Sequence, residues 1–188
     1  MAVNGVRGAG DRAGSLDVYS LGRELHRDAW IVLGFNGDAA WDVPGADLVV
    51  FENPFDHPAG RFFDPIIVEV SPDGVHWVAF EHDLVGGDET EWQADPTRWS
   101  GFAGLTPVWL HEELNPVDPF SAEAGGDGFD FAELPDGPTR DAVLSDGARF
   151  IRLTSASAVL NPDSGVPFPS DPISNGADVD GVYAAWVE

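Results

Sequence analysis

Pro and Gly interrupt this chain so evenly that no element can run long: 22 Gly and 15 Pro are spread through 188 residues. No window holds a sustained 3.6-residue apolar period, and the best helical candidate, "SLGRELHRDA" at 20–29, is short. Strands fit between the breaks. "LDVYSL" (16–21), "AWIVLGF" (29–35), "ADLVVFE" (46–52), "PIIVEV" (65–70), "VHWVAF" (75–80), "RFIRLTS" (149–155) and "VDGVYAAWV" (179–187) are rich in β-branched and aromatic residues. Across "SPDG" (71–74), Pro72 presets φ and Gly74 takes the positive φ, which predicts a hairpin over 65–80. Many short strands separated by turns predict an all-β antiparallel sandwich with little helix. The pattern lapses between 81 and 148 into long acidic loops, and loops of that length are functional or held by something.

A chain of this length is expected to form one domain, 1–188, with residues 1–14 a flexible N-terminal segment. A hydrophobic fraction of 43% and seven Trp exclude wholesale disorder despite a net charge of -24. Residues 1–30 balance four acids against four Arg, so the whole excess falls on the remainder. Such a field repels nucleic-acid phosphates and anionic membrane surfaces and attracts cations. No apolar stretch approaches the roughly 18 residues of a membrane span, so no direct membrane insertion is expected. Without Cys, disulfides, thiolate catalysis and Cys-ligated zinc are excluded. "MAVNGVRGAG" carries no apolar leader core. The chain is therefore cytosolic, or exported with a leader lying outside this sequence.

The acids gather in four places: Asp42 with Asp47, Glu52-Asn53, Asp127 with Asp130 in "AGGDGFDF", and Asp178 with Asp180 in "GADVDGV". Along a strand, Asp47 and Glu52 stand roughly 16 Å apart on opposite faces, which separates them unless the chain bends. Asp178 and Asp180 share a face at roughly 7 Å, so their carboxylates can converge on one ion. Oxygen-only donors with high negative charge suit calcium, and with no EF-hand loop the site must be assembled from distant segments. Against this stands the reading of each cluster as a solvated cap at a strand end or turn.

The order "VPGADLVVFENPF…IIVEVSPDGVHWVAF…AGGDGFDFAEL…ARFIRL…ADVDGV" resembles a family of bacterial cell-surface proteins and lipoproteins. That family carries G-P-D-x-x-V-F-E-N, V-x-V-S-x-D-G, A-G-G-D-x-F-D-L and F-D-L-D-A-V blocks, and the likeness covers nearly the whole chain. It is similar to calcium-stabilised jelly-roll modules of the galactose-binding type, whose last strand often supplies a metal ligand. The resemblance implies a jelly-roll topology, export, surface attachment and structural calcium. By position the blocks fall on Asp47, Glu52, Asn53, Asp127, Asp130, Asp178 and Asp180. The chain departs from them at Ala177, Val179 and Gly181, where the family has Phe, Leu and Ala.

The five His (His26, His57, His76, His82, His111) show no zinc spacing, and His111 beside Glu112-Glu113 reads as a solvated turn rather than an acid–base pair. Trp92 and Trp99, with Asp95 and Arg98 nearby, could form a sugar-stacking platform; alternatively both rings fold inward and pin the long loop. The sequence thus points to a non-enzymatic, calcium-stabilised surface module that binds carbohydrate or another surface component. Two alternatives stand beside it: a secreted glycoside- or ester-cleaving hydrolase with carboxylates in a cleft, and a structural assembly subunit.

Overall fold

The structure, a computed structural model, describes residues 5–15, 17–24, 29–58 and 60–188. Thirteen short strands and one α-helix are described. In chain order the strands are β1 (Tyr19–Ser20), β2 (Trp30–Gly34), β3 (Leu48–Phe51), β4 (Phe55–His57), β5 (Gly60–Phe62), β6 (Ile66–Ser71), β7 (Val78–Ala79), β8 (Asp83–Leu84), β9 (Trp99–Ser100), β10 (Asp127–Phe129), β11 (Phe150–Ser155), β12 (Asp178–Val179) and β13 (Gly181–Ala184). All strand pairings are antiparallel. Among the described residues no helix is long and apolar enough to cross a membrane. The all-β expectation holds.

Two sheets make the sandwich. One has the order β10-β3-β13 and the other β2-β11-β6-β7. Their facing residues alternate along each strand, as a period of two requires. Leu48 and Val50 of β3 meet Ile66, Val68 and Val70 of β6 and Ile151 and Leu153 of β11 in the main core. The other face of β3 is apolar as well. Val49 and Phe51 pack with Val6, Val108, Leu110 and Ala124 in a separate cluster, which explains why four consecutive residues of this strand are all apolar. The hairpin predicted at 65–80 forms as β6–β7, with Glu69 opposite Ala79 and Val70 opposite Val78.

Three expectations need correction. Residues 5–14 are not a loose segment: Val6 is fully buried, and Gly8 and Gly10 donate backbone N–H groups to Leu110 O and Val108 O, each at 2.9 Å. The segment is a strap over the outer face of β3. The short helical candidate at 20–29 does not form a helix over 20–24, where Tyr19–Ser20 is strand and Leu21 N–H bonds Ala177 O; residues 25–28 lie outside the described set. The helix that does form, α1 (Pro138–Asp146), stands in the stretch read as loop. Pro138 opens it with a preset φ. Gly147 closes it at φ 76, where a Cβ would stand 2.7 Å from Ala39 Cβ.

Candidate cation site

The apolar run of β3 stops at Phe51, whose carbonyl accepts the Asp180 N–H at 2.8 Å. That pairing brings residue 52 to residue 178. Asp178 N–H donates to Glu52 Oε1 at 2.9 Å, and Asn53 Nδ2 donates to Asp178 Oδ2 at 3.3 Å. Ser20 lies opposite Asp178 in the β1–β12 register, and its hydroxyl donates to Asp178 Oδ1. Asp64, just ahead of β6, accepts from the Ser174 hydroxyl, while Arg23 Nη1 donates to the Ser174 carbonyl at 2.7 Å. Four separate stretches of chain, 20–23, 52–53, 64 and 174–178, therefore converge on one rim of the sandwich.

These carboxylates oppose one another. Burial drives Glu52 well above the usual carboxylate range, and the charges of Asp64 and Asp178 push it further. Burial likewise raises Asp64 to about 6; Asp178 and Asp171 add to the shift, while the Ser174 hydroxyl and Arg23 act against it. A proton or a cation would relieve the strain. Glu52 is only 2% exposed, yet its Oε2 meets no hydrogen-bond donor among the described residues, and neither does the buried Asn53 Oδ1. Gly14 of the strap lies over Asn53 so closely that a Cβ there would stand 1.8 Å from Oδ1. A buried oxygen without a donor costs about 1–3 kcal/mol, more when charged. Carboxylate, amide and hydroxyl oxygens with no nitrogen or sulfur donor are the set a hard divalent cation takes. These donor types suit calcium, but Glu52, Asp64 and Asp178 do not bring three carboxylate oxygens within 4.8 Å of one another.

The other acids singled out in the sequence lie apart from this cluster. Asp180 falls in the break between β12 and β13, so the strand alternation that would pair it with Asp178 is interrupted. Its Oδ2 accepts the Arg7 N–H at 3.0 Å, and its buried Oδ1 meets no well-placed donor among the described residues, the Ser15 hydroxyl lying near. Burial raises Asp180 to about 6, with Asp17 adding and the Arg7 N–H opposing. Asp127 holds the 105–106 loop: its Oδ2 accepts from Leu105 N–H at 2.9 Å and its Oδ1 from the Thr106 hydroxyl at 2.7 Å. Asp130 caps the short 3-10 turn Phe131–Glu133 through the Ala132 N–H.

Asp47 ties two segments together, accepting Val43 N–H on Oδ1 and Phe131 N–H on Oδ2, both at 2.7 Å. Asp42, Asp47 and Asp130 bring ligand atoms within 4.8 Å of one another. Both Asp47 oxygens are already bonded there, and Asp42 is exposed. Asp130 also accepts a backbone N–H there, from Ala132.

Trp92 and Trp99 take the inward alternative that the sequence left beside a sugar platform. Trp99 is 2% exposed in a second core with Phe63, Phe102 and Phe168, and its Nε1 donates to Gln93 O at 2.9 Å. Trp92 lies against Phe63 and Trp99, with ring centroids 4.7 and 5.4 Å away. Asp95 caps the turn that carries Arg98, and Arg98 Nε donates to Val85 O at 3.1 Å. The rings pin the loop: Trp99 is buried and Trp92 partly so. Sequence reasoning missed Asp64, Ser20 and Ser174 at the cation cluster. Only Asp64 left a trace: an acid directly before Pro65 and a strand start. No family model, curated protein or solved structure matches the chain.

Proposed function

We propose that this chain is a non-enzymatic binding module of an exported, surface-associated protein, with calcium organising the rim formed by Glu52, Asn53, Asp64 and Asp178. One observation carries the cation: among the described residues, Glu52 Oε2 and Asn53 Oδ1 are buried without a donor beside two further carboxylates. Calcium there would let all three acids stay ionised and would join β3, β12 and the stretch ahead of β6 at one point. Surface attachment rests on the likeness of the sequence blocks to bacterial surface proteins and lipoproteins.

Glu52 and Asp64 are buried and offer no face to a substrate. Metal analysis of protein purified without chelator tests the reading. It expects about one calcium per chain, lost in Glu52→Gln; metal-free protein whose melting point ignores added calcium would sink it.

A further inference from the structure

The outward face of the β2-β11-β6-β7 sheet carries chemistry that packing does not explain. Inward residues of these strands fill the main core. The outward positions put Trp30 opposite Thr154 in one row, and Val32, Arg152 and Glu69 side by side in the next. Trp30, the first residue of the edge strand β2, is 53% exposed on this face. Beside it Arg152 grips Glu69 with both arms, Nε to Oε2 and Nη2 to Oε1, each at 2.5 Å. The guanidinium also lies 4.5 Å over the Trp77 ring, so its direction is set from two sides. Trp30, Thr154, Arg152 and Glu69 line one depression, with His82 and Val159 as its far wall.

We propose that this depression binds a neutral glycan, with the Trp30 indole against a sugar ring and the Arg152–Glu69 pair bonding its hydroxyls. The assignment deepens the binding-module reading by naming its ligand class and place. A pyranose offers an apolar C–H face and equatorial hydroxyls that both donate and accept. A bare indole next to a fixed donor–acceptor pair matches both features. The net charge of -24 sets the class, because uronate or sulfate polymers would be repelled. Trp109 and Trp186 are also exposed, but Trp109 Nε1 bonds Asp11 at 3.0 Å and Trp186 follows β13, away from this sheet.

The test is isothermal titration in calcium buffer with mixed-linkage β-glucan, galactomannan and neutral xylan, set against polygalacturonate and alginate. Saturable binding to at least one neutral polymer, and to neither anionic one, is expected. Trp30→Ala should weaken it by about tenfold or more, Trp30→Phe should keep part of it, and Trp186→Ala should leave it unchanged. Circular dichroism confirms that each variant is folded. Binding to no neutral glycan, or equal binding by Trp30→Ala, overturns the proposal. So does concentration-dependent dimerisation that Trp30→Ala abolishes, which would assign the face to a second copy. Calcium content measured on the same sample keeps the two readings apart: a calcium-loaded protein that binds no glycan rejects the platform and retains the cation.

Discussion

The Asp178 N–H donates to Glu52 Oε1 at 2.9 Å, so the acid that ends a central strand is held by backbone 126 residues away in sequence. Half of that carboxylate is satisfied and half is not. Calcium that binds only the folded chain stabilises it by about 2.7 kcal/mol when free calcium is about 100 times Kd. In a domain of this size that is a rise in Tm of roughly 5–11 °C, which chelator should reverse. Glu52→Gln should remove most of the rise without lowering the Tm in chelator, because it removes a buried repulsion along with the ligand. Differential scanning calorimetry with and without chelator reads both effects.

The same groups set a pH dependence. Asp64 and Asp180 both sit near 6 in the fold against an ordinary value of 3.8, so between those limits the native state holds more protons than the unfolded chain. Their contribution is fully favourable below the lower limit and is lost as pH rises through about 6. In chelator, urea midpoints should therefore fall from pH 5 to pH 7. Saturating calcium should shrink that fall at the Asp64 cluster, and Asp64→Asn should shrink it in chelator too. An identical slope in all three samples would remove Asp64 from the account.

Asp47 should behave as a latch. Asp47→Asn keeps one acceptor oxygen and turns an amide N–H₂ toward a backbone N–H that had a carboxylate, either Val43 or Phe131. A cost of about 1–3 kcal/mol is expected by chemical denaturation, with calcium affinity unchanged. A loss of calcium response in this variant would instead place a ligand at the Asp42–Asp130 rim.

Trp99→Ala should cost about 3–5 kcal/mol, since it empties the centre of the second core. Trp92→Ala should cost less, its ring being only partly buried. Neither should alter the affinity for a neutral glycan beyond the effect of unfolding, as denaturation curves and titrations on the same samples would show.

The strands were legible because alternation is local: "AWIVLGF" and "RFIRLTS" each contain the strand they predict, and "PIIVEV" stops one residue short of the end of β6. The helix α1 was not, because nine residues with only Val143 buried carry no period; its Gly-Pro entry and Gly exit were the available signs. At the cation cluster, Glu52, Asn53 and Asp178 stood out as oxygens at strand ends, whereas Ser20, Asp64 and Ser174 enter singly from unrelated segments. Asp47, Asp127 and Asp130 look the same in sequence but spend their oxygens on nearby N–H groups. Trp99 shows the converse limit: composition marks an aromatic without saying which way it turns.

The strap that begins at Gly5 imposes an order of assembly. Its anchors are Val108, Leu110 and Asp180, the last 173 residues beyond Arg7. β3 likewise waits for β10 and β13, both far downstream. The strap therefore docks only after almost all of the chain that follows it has been made. Such dependence on distant partners slows folding and leaves the nascent chain open through most of its synthesis.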